Sequence, residues 1–96
     1  MTKQATPTPE ISLDTSGIGT YGGTVIATGT DREQLLSAET RHAVVKAAAA
    51  RGLSRPGVNN VDVYPVDSNG VCDEDVLLGK RPAVGFRAEY SVAGGM

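Results

Sequence analysis

The chain has 96 residues with a formal net charge of -2, a size that predicts one small domain. Its basic residues are scattered, which argues against a nucleic-acid partner, because phosphate binding needs a concentrated basic surface. The single cysteine, Cys72, excludes an internal disulfide and a cysteine-based zinc cage, and the chain contains no apolar run long enough to predict a membrane span.

Residues 1–20 are rich in Thr, Pro, Ser and Gly and predict an extended N-terminal arm. Its aliphatic anchors are Ile11, Leu13 and Ile18. These anchors cannot offset the conformational entropy lost on ordering the arm, about 1 to 2 kcal/mol per residue for the backbone alone. We therefore expect the arm to lie on a neighbouring subunit and to serve assembly.

The end of the arm contains Gly17-Ile-Gly-Thr-Tyr-Gly22, which matches the G-x-G-x-x-G pattern of dinucleotide-binding proteins. That site needs a strand before the glycines and a helix that opens directly from them, so that helix amides meet the pyrophosphate. Here an apolar run at 24–28 follows and predicts a strand over 21–28 instead. We interpret the glycines as a flexible joint and predict no bound nucleotide.

A single helix is predicted from Thr30 to Gly52. Thr30 and Glu33 have capping-box spacing, and Gly52 is typical of a helix C-terminus. The helix projects two apolar stripes, whereas a helix on the surface of a monomer needs only one. The alternative is that its alanines are only good helix formers. On the first interpretation the second stripe is an interface, formed by Leu35, Ala38, Val45 and Ala49.

Two more strands are predicted, at 58–66 and 83–92, because apolar and polar residues alternate there. Pro65 cannot donate a ladder hydrogen bond, so it indicates a sheet edge or a bulge. Asp67 to Gly70 predict a tight turn after the first of these strands. Val71 to Arg81 are expected to form an acidic-then-basic excursion before the second. In the last strand the inward-facing residues are expected to be Val84, Phe86, Ala88, Tyr90 and Val92.

The predicted fold is α+β, with the order strand-helix-strand-strand and one helix packed on a small, mostly antiparallel sheet. The arm at 1–20 precedes a single domain at 21–93, and residues 94–96 form a flexible C-terminus. The first two strands, if adjacent, should be parallel with a right-handed crossover. A three-stranded sheet with one helix leaves edges and part of a face uncovered, which predicts self-association by edge pairing or face packing.

Acidic residues in 67–75 fall at several ligand positions of a calcium-binding loop, but Leu78 stands where the bidentate glutamate belongs. We interpret the segment as a solvated acidic loop. His42 is the only histidine and cannot form a His-based metal site within one chain. Cys72 lies among carboxylates, which make a thiol a poor nucleophile. The sequence therefore predicts no catalytic or metal site, no cofactor and no enzymatic activity.

Three short segments carry a family resemblance: Ala27-Thr-Gly-Thr-Asp31, Asn60-Val-Asp-Val63 and Val84-Gly-Phe86. With the strand-helix-strand-strand order, they resemble dodecins, which are small flavin-binding proteins. The resemblance implies an oligomeric α+β domain. The tryptophan that stacks on the flavin in dodecins is missing, because the chain contains no Trp, so flavin binding is not carried over.

These observations favour a non-enzymatic structural or assembly subunit of a large symmetric complex. A capsid-decorating or tail protein of a phage virion fits the small size and acidic charge. The alternative is a small dodecin-like homo-oligomer that binds a ligand. The expected partners are copies of the chain or other subunits of the assembly, with no nucleic acid and no membrane, in the cytoplasm or within a virion.

Overall fold

The computed structural model describes residues 11–95 as a four-stranded sheet with three helices. In chain order the elements are β1 (Ser12–Ile18), β2 (Gly22–Gly29), α1 (Arg32–Leu35), α2 (Ala38–Ala50), β3 (Gly57–Val66), α3 (Glu74–Leu77) and β4 (Gly85–Ala93).

The sheet has the order β1-β2-β4-β3, and every neighbouring pair is antiparallel. This confirms the predicted α+β class. Because β2 and β3 are both antiparallel to β4, they run parallel to each other, but they are not adjacent. The helical crossover therefore joins two parallel strands with β4 inserted between them, an arrangement known as a split βαβ unit.

β1 comes from the segment predicted to be an arm. Leu13 pairs with Ala27 of β2, and Ile18 pairs with Gly23, so the sheet has four strands where three were expected. Ile11, Leu13 and Ile18 pack against the core of their own chain. The prediction omitted the backbone hydrogen bonds that β2 offers to an extended neighbour, which help to offset the entropy of ordering. The rest of the predicted arm, residues 1–10, lies outside the described residues.

The predicted single helix is divided into α1 and α2. Asp31, not Thr30, caps α1, and its carboxylate accepts from the amides of Glu33 and Gln34 at 2.9 and 3.4 Å. Ser37 then caps α2 by accepting from the amide of Thr40 at 3.2 Å. Both caps follow from short polar side chains that satisfy first-turn amides. The capping-box prediction was wrong because Asp31, one residue after Thr30, caps the first turn instead.

The C-terminus of α2 agrees with the prediction. Arg51 is the C-cap residue, and Gly52 follows with a φ of +106°, a conformation that L side chains rarely adopt. The amide of Gly52 donates to the carbonyl of Ala49 at 3.0 Å.

The core lies between the sheet and the helices α1 and α2. The Tyr90 hydroxyl crosses it and donates a hydrogen bond to the carbonyl oxygen of Leu35, which fixes α1 against the centre of the sheet. The predicted inward positions of β4 are confirmed at Ala88, Tyr90 and Val92, and Phe86 packs against the core. Val84 precedes the strand and is 55% exposed. The buried apolar residues of the core cluster are Val25, Ala27, Leu35, Val44, Ala48, Leu53, Ala88, Tyr90 and Val92.

Candidate functional site

The face of the sheet opposite the core carries a row of acidic side chains. The strand register places Asp14, Ile26, Glu89 and Asp62 side by side across all four strands. Asp14 and Asp62 are exposed, and Glu89 is half-buried. This surface, which we call the open face, is therefore acidic at its centre.

A second row of the open face brings Arg87 beside Tyr64. The Arg87 guanidinium lies over the Tyr64 ring, 5.7 Å from its centroid, and its Nε atom is 3.3 Å from Oε2 of Glu89. Arg87 thus covers the one aromatic ring on β3 and offsets a single carboxylate of the acidic row. Both side chains of the ion pair are about one-third exposed, so its contribution to stability is small.

The two edges of the sheet differ in how open they are to a further strand. At the β1 edge, the register with β2 is irregular between Asp14 and Gly17. The Ser16 amide donates to the Asp14 carboxylate at 2.9 Å, and this hydrogen bond holds the pKa of Asp14 below its ordinary value. β1 therefore uses its own side chain to satisfy part of its backbone.

The β3 edge is longer and more regular, because Asn60 to Val66 pair with β4 without interruption. The Val66 carbonyl accepts from the Val84 amide at 2.9 Å, which shows that Val66 points its backbone groups toward β4. Backbone groups alternate along an antiparallel strand, so those of Val61, Val63 and Pro65 point away from β4. Within residues 11–95, no backbone hydrogen bond outside the β3–β4 ladder involves Val61, Val63 or Pro65. The position of Pro65 at an edge agrees with the sequence prediction.

The connection between β3 and β4, residues 67–84, is held by Arg81. Its Nε atom donates to Oδ2 of Asp67 at 3.0 Å, and its terminal nitrogens pair with Asp73 and, at 3.5 Å, with Asp75. Asp73 also caps α3 by accepting from the Val76 amide at 3.1 Å. A guanidinium thus occupies the centre of the acidic loop that resembled a calcium site.

The electrostatics of this loop follow from those contacts. The amide of Val71 is the main cause that lowers the pKa of Asp67, and Arg81 adds to the effect. For Asp73, the hydrogen bond from Arg81 is the main cause of a lowered pKa. The same bond raises the pKa of Arg81. Asp67, Asp73 and Arg81 therefore stay ionised at neutral pH. We call these three residues the Arg81 clamp.

Aliphatic side chains are exposed on this same connection. Leu77 and Leu78, at the end of α3, are 60% and 62% exposed, and Val71 and Val84 are also exposed. Val71 and Val84 line one surface cavity of about 390 Å³ together with Arg81. A loop that presents apolar groups to solvent is suited to contact another protein surface.

The residues predicted as an interface on the helix occupy different environments. Leu35 is 0% exposed and belongs to the core, so the structure corrects its assignment: the helix break at Leu36 turns Leu35 inward. Ala38 and Ala49 are exposed, and Val45 is half-buried. These three lie on the part of α2 that the core does not use, and their role as an interface stays a prediction.

The chemically reactive side chains are dispersed. His42 is exposed on α2, and Cys72 is a half-buried free thiol in the connection after β3. Among residues 11–95, no group of His, Cys, Asp and Glu could hold a metal ion. No helix in that range is long and apolar enough to cross a membrane.

The glycine-rich segment forms the turn of the β1–β2 hairpin. The Gly19 amide donates to the Gly22 carbonyl at 2.8 Å, and β2 follows directly, so no helix N-terminus faces the glycines. The glycines serve close packing: a Cβ on Gly23 would lie 2.1 Å from the carbonyl oxygen of Gly17. This geometry lacks the helix N-terminus that a dinucleotide site of this pattern needs.

A second surface cavity, of about 250 Å³, lies between the start of β1 and the α1–α2 junction. Its volume is below the 300 to 1,000 Å³ that ligand pockets commonly have. The Thr40 hydroxyl on its wall donates to the Gln34 carbonyl at 2.6 Å. The cavity is lined by Ile11, Leu13, Gln34, Ser37, Glu39, Thr40 and Ala43.

We did not predict from the sequence which backbone groups of β3 face outward, although one residue carries a signal for them. Pro65 carries that signal, because a proline in a strand places its missing amide away from the neighbouring strand.

No model of a known protein family, no curated protein and no solved structure matches this chain.

Proposed function

We propose that the chain is a non-enzymatic assembly subunit that associates with copies of itself. The observation that carries the proposal is the β3 edge, where the outward backbone groups of Val61 and Val63 have no partner within residues 11–95. An open, regular edge strand is a template for pairing with another chain.

The packing of β3 supports the same proposal. Val58, Val61 and Val63 contact the core but stay half-buried, because the sheet ends beside them. A strand from another chain would cover their remaining apolar surface and add to the core. The exposed Leu77 and Leu78 offer a further apolar contact for larger assemblies.

Incorporation of such an oligomer into a virion is the finer form of this proposal. The small, acidic chain and the exposed aliphatic side chains of the connection at 67–84 support it, since a coat or tail component needs contact surfaces more than reactive groups. Binding to purified particles of a candidate host virus, followed by sedimentation, tests this form.

The second candidate is a ligand-binding homo-oligomer of dodecin-like build. The order β2, α2, β3, β4 favours it, since the helix connects two strands that flank the last one. Tyr64 offers an aromatic ring on the open face, but the guanidinium of Arg87 already lies over that ring. A flavin would need this arginine to move.

Light scattering and an absorbance spectrum of the purified protein test the two candidates together. We expect a molar mass that is a multiple of 9.9 kDa and a colourless preparation. A mass of 9.9 kDa at every concentration contradicts the assembly proposal. A yellow oligomer that releases flavin on denaturation favours the ligand-binding candidate instead.

A further inference from the structure

We propose that two copies of the chain pair through their β3 strands, antiparallel, about a twofold axis that passes beside Val63. The pairing would join two four-stranded sheets into one continuous sheet with the helices of both copies on the same side. The inference rests on the proposed function and specifies the surface and the register of the association.

β3 is preferred over β1 because of the state of its backbone. β3 has 10 residues and keeps one register with β4 from Asn60 to Val66. β1 has 7 residues, its register is irregular after Asp14, and the Ser16 amide already bonds to a carboxylate of its own strand. An irregular, internally satisfied edge resists pairing.

The edge is also preferred over the open face. Stacking two open faces would bring the row of Asp14, Glu89 and Asp62 against the same row of a second copy. Arg87 offsets only one of these carboxylates, through its contact with Glu89. Like charges that face each other destabilise an interface, so the face disfavours self-association.

The outward backbone groups limit the register. They belong to Val61 and Val63, with Pro65 contributing only its carbonyl, since proline has no amide hydrogen. A twofold axis can therefore lie beside Val61, Asp62 or Val63. We reject an axis at Val61, because it pairs Val63 with Asn59. Asn59 lies at the irregularity between Val58 and Asn60, where the strand departs from regular geometry.

Charge decides between the two remaining registers. An axis at Asp62 places the two Asp62 carboxylates directly opposite each other on the open face, which is unfavourable. An axis at Val63 places Asp62 opposite the Tyr64 of the second copy, whose hydroxyl can donate to the carboxylate. The Val63 amides and carbonyls then bond reciprocally. Each Val61 amide donates to a Pro65 carbonyl, while the Val61 carbonyl gains no donor from Pro65, which has no amide hydrogen.

Cysteine cross-linking tests this register, with Cys72→Ser as the background for every variant. The molar masses of the wild type and of the Cys72→Ser variant are first measured by light scattering, to establish that both proteins associate. Val63→Cys chains should form disulfide dimers under mild oxidation, because a hydrogen-bonded antiparallel pair has Cα atoms about 5.5 Å apart, within disulfide range. Ser16→Cys on the β1 edge is the matched control and should cross-link at least about tenfold more slowly.

A mixture of Asp62→Cys and Tyr64→Cys chains provides an independent test, since neither substitution touches the core. The mixture should give mixed dimers faster than Asp62→Cys gives dimers alone. Faster self-linking of Asp62→Cys than of Val63→Cys overturns the register. An associated protein in which none of the β3 cysteines cross-link overturns pairing at this edge and leaves the proposed function standing, whereas a monomeric wild type overturns both.

Discussion

Leu35 lies in the core, although it was predicted to belong to an interface on the helix. Its side chain is fully buried, and the Tyr90 hydroxyl binds its carbonyl oxygen, so α1 has little freedom to move into a vacated space. We expect Leu35→Ala to lower the free energy of unfolding by about 2–5 kcal/mol, through lost burial and the cavity left behind. For a chain of this size that is a fall in Tm of roughly 8 °C or more.

Leu36→Ala is the matched control, because the neighbouring side chain has the same chemistry and is 39% exposed. Its effect should stay within about 0.5 kcal/mol. Urea denaturation followed by far-UV circular dichroism measures both variants, at several protein concentrations because association adds to the apparent stability. The reasoning fails if the two substitutions are equally costly, or if Leu35→Ala changes only the oligomeric state.

Three further predictions follow from the contacts of single residues. Tyr90→Phe should cost about 1–3 kcal/mol in urea denaturation, because a buried carbonyl loses its donor. Gly23→Ala should abolish or strongly weaken folding, as judged by circular dichroism, because its Cβ would lie 2.1 Å from a backbone oxygen, whereas Gly57→Ala has nothing within 4 Å and should be tolerated. Arg81→Gln should destabilise the protein at pH 7, and the difference from wild type should shrink as the pH falls below the ordinary aspartate value of 3.8 and through the lowered pKa of Asp73; a pH-independent difference in Tm contradicts the clamp.

The class of the fold was predictable from the sequence because its strongest local signals agree with the tertiary structure. The alternation through β4 and the left-handed Gly52 each describe a feature that local chemistry dictates. Pro65 likewise predicted an edge, and β3 lies at one. Such features need no knowledge of distant contacts.

β1 and the helix break were not predictable in the same way. Ser12–Ile18 is polar and glycine-rich, and it becomes a strand only because β2 supplies its hydrogen-bond partners. The break between α1 and α2 lies at Leu36, the C-cap of α1, and Ser37, the N-cap of α2, whereas the predicted helix had one cap at Thr30. Leu35 changes from the predicted interface to the core as a consequence of that break.

From the sequence we could predict that the domain makes further contacts, but not which surface makes them. Composition indicated that a small sheet leaves surface uncovered, but the register with β4 was needed to show that the amides of Val61 and Val63 face outward. The role of Arg81 also depends on the fold, because it contacts Asp67, which lies 14 residues away in the chain.

Amide hydrogen exchange at β3, measured over a range of protein concentrations, tests the central claim that this edge joins two copies of the chain. In a monomer, the amides of Asp62 and Tyr64 are protected by β4, while those of Val61 and Val63 exchange freely. We predict that the protection of the Val61 and Val63 amides rises with protein concentration. The protection of the Asp62 and Tyr64 amides should rise less, because β4 already binds them in the monomer. Val61 and Val63 amides that exchange freely at every concentration would contradict the claim.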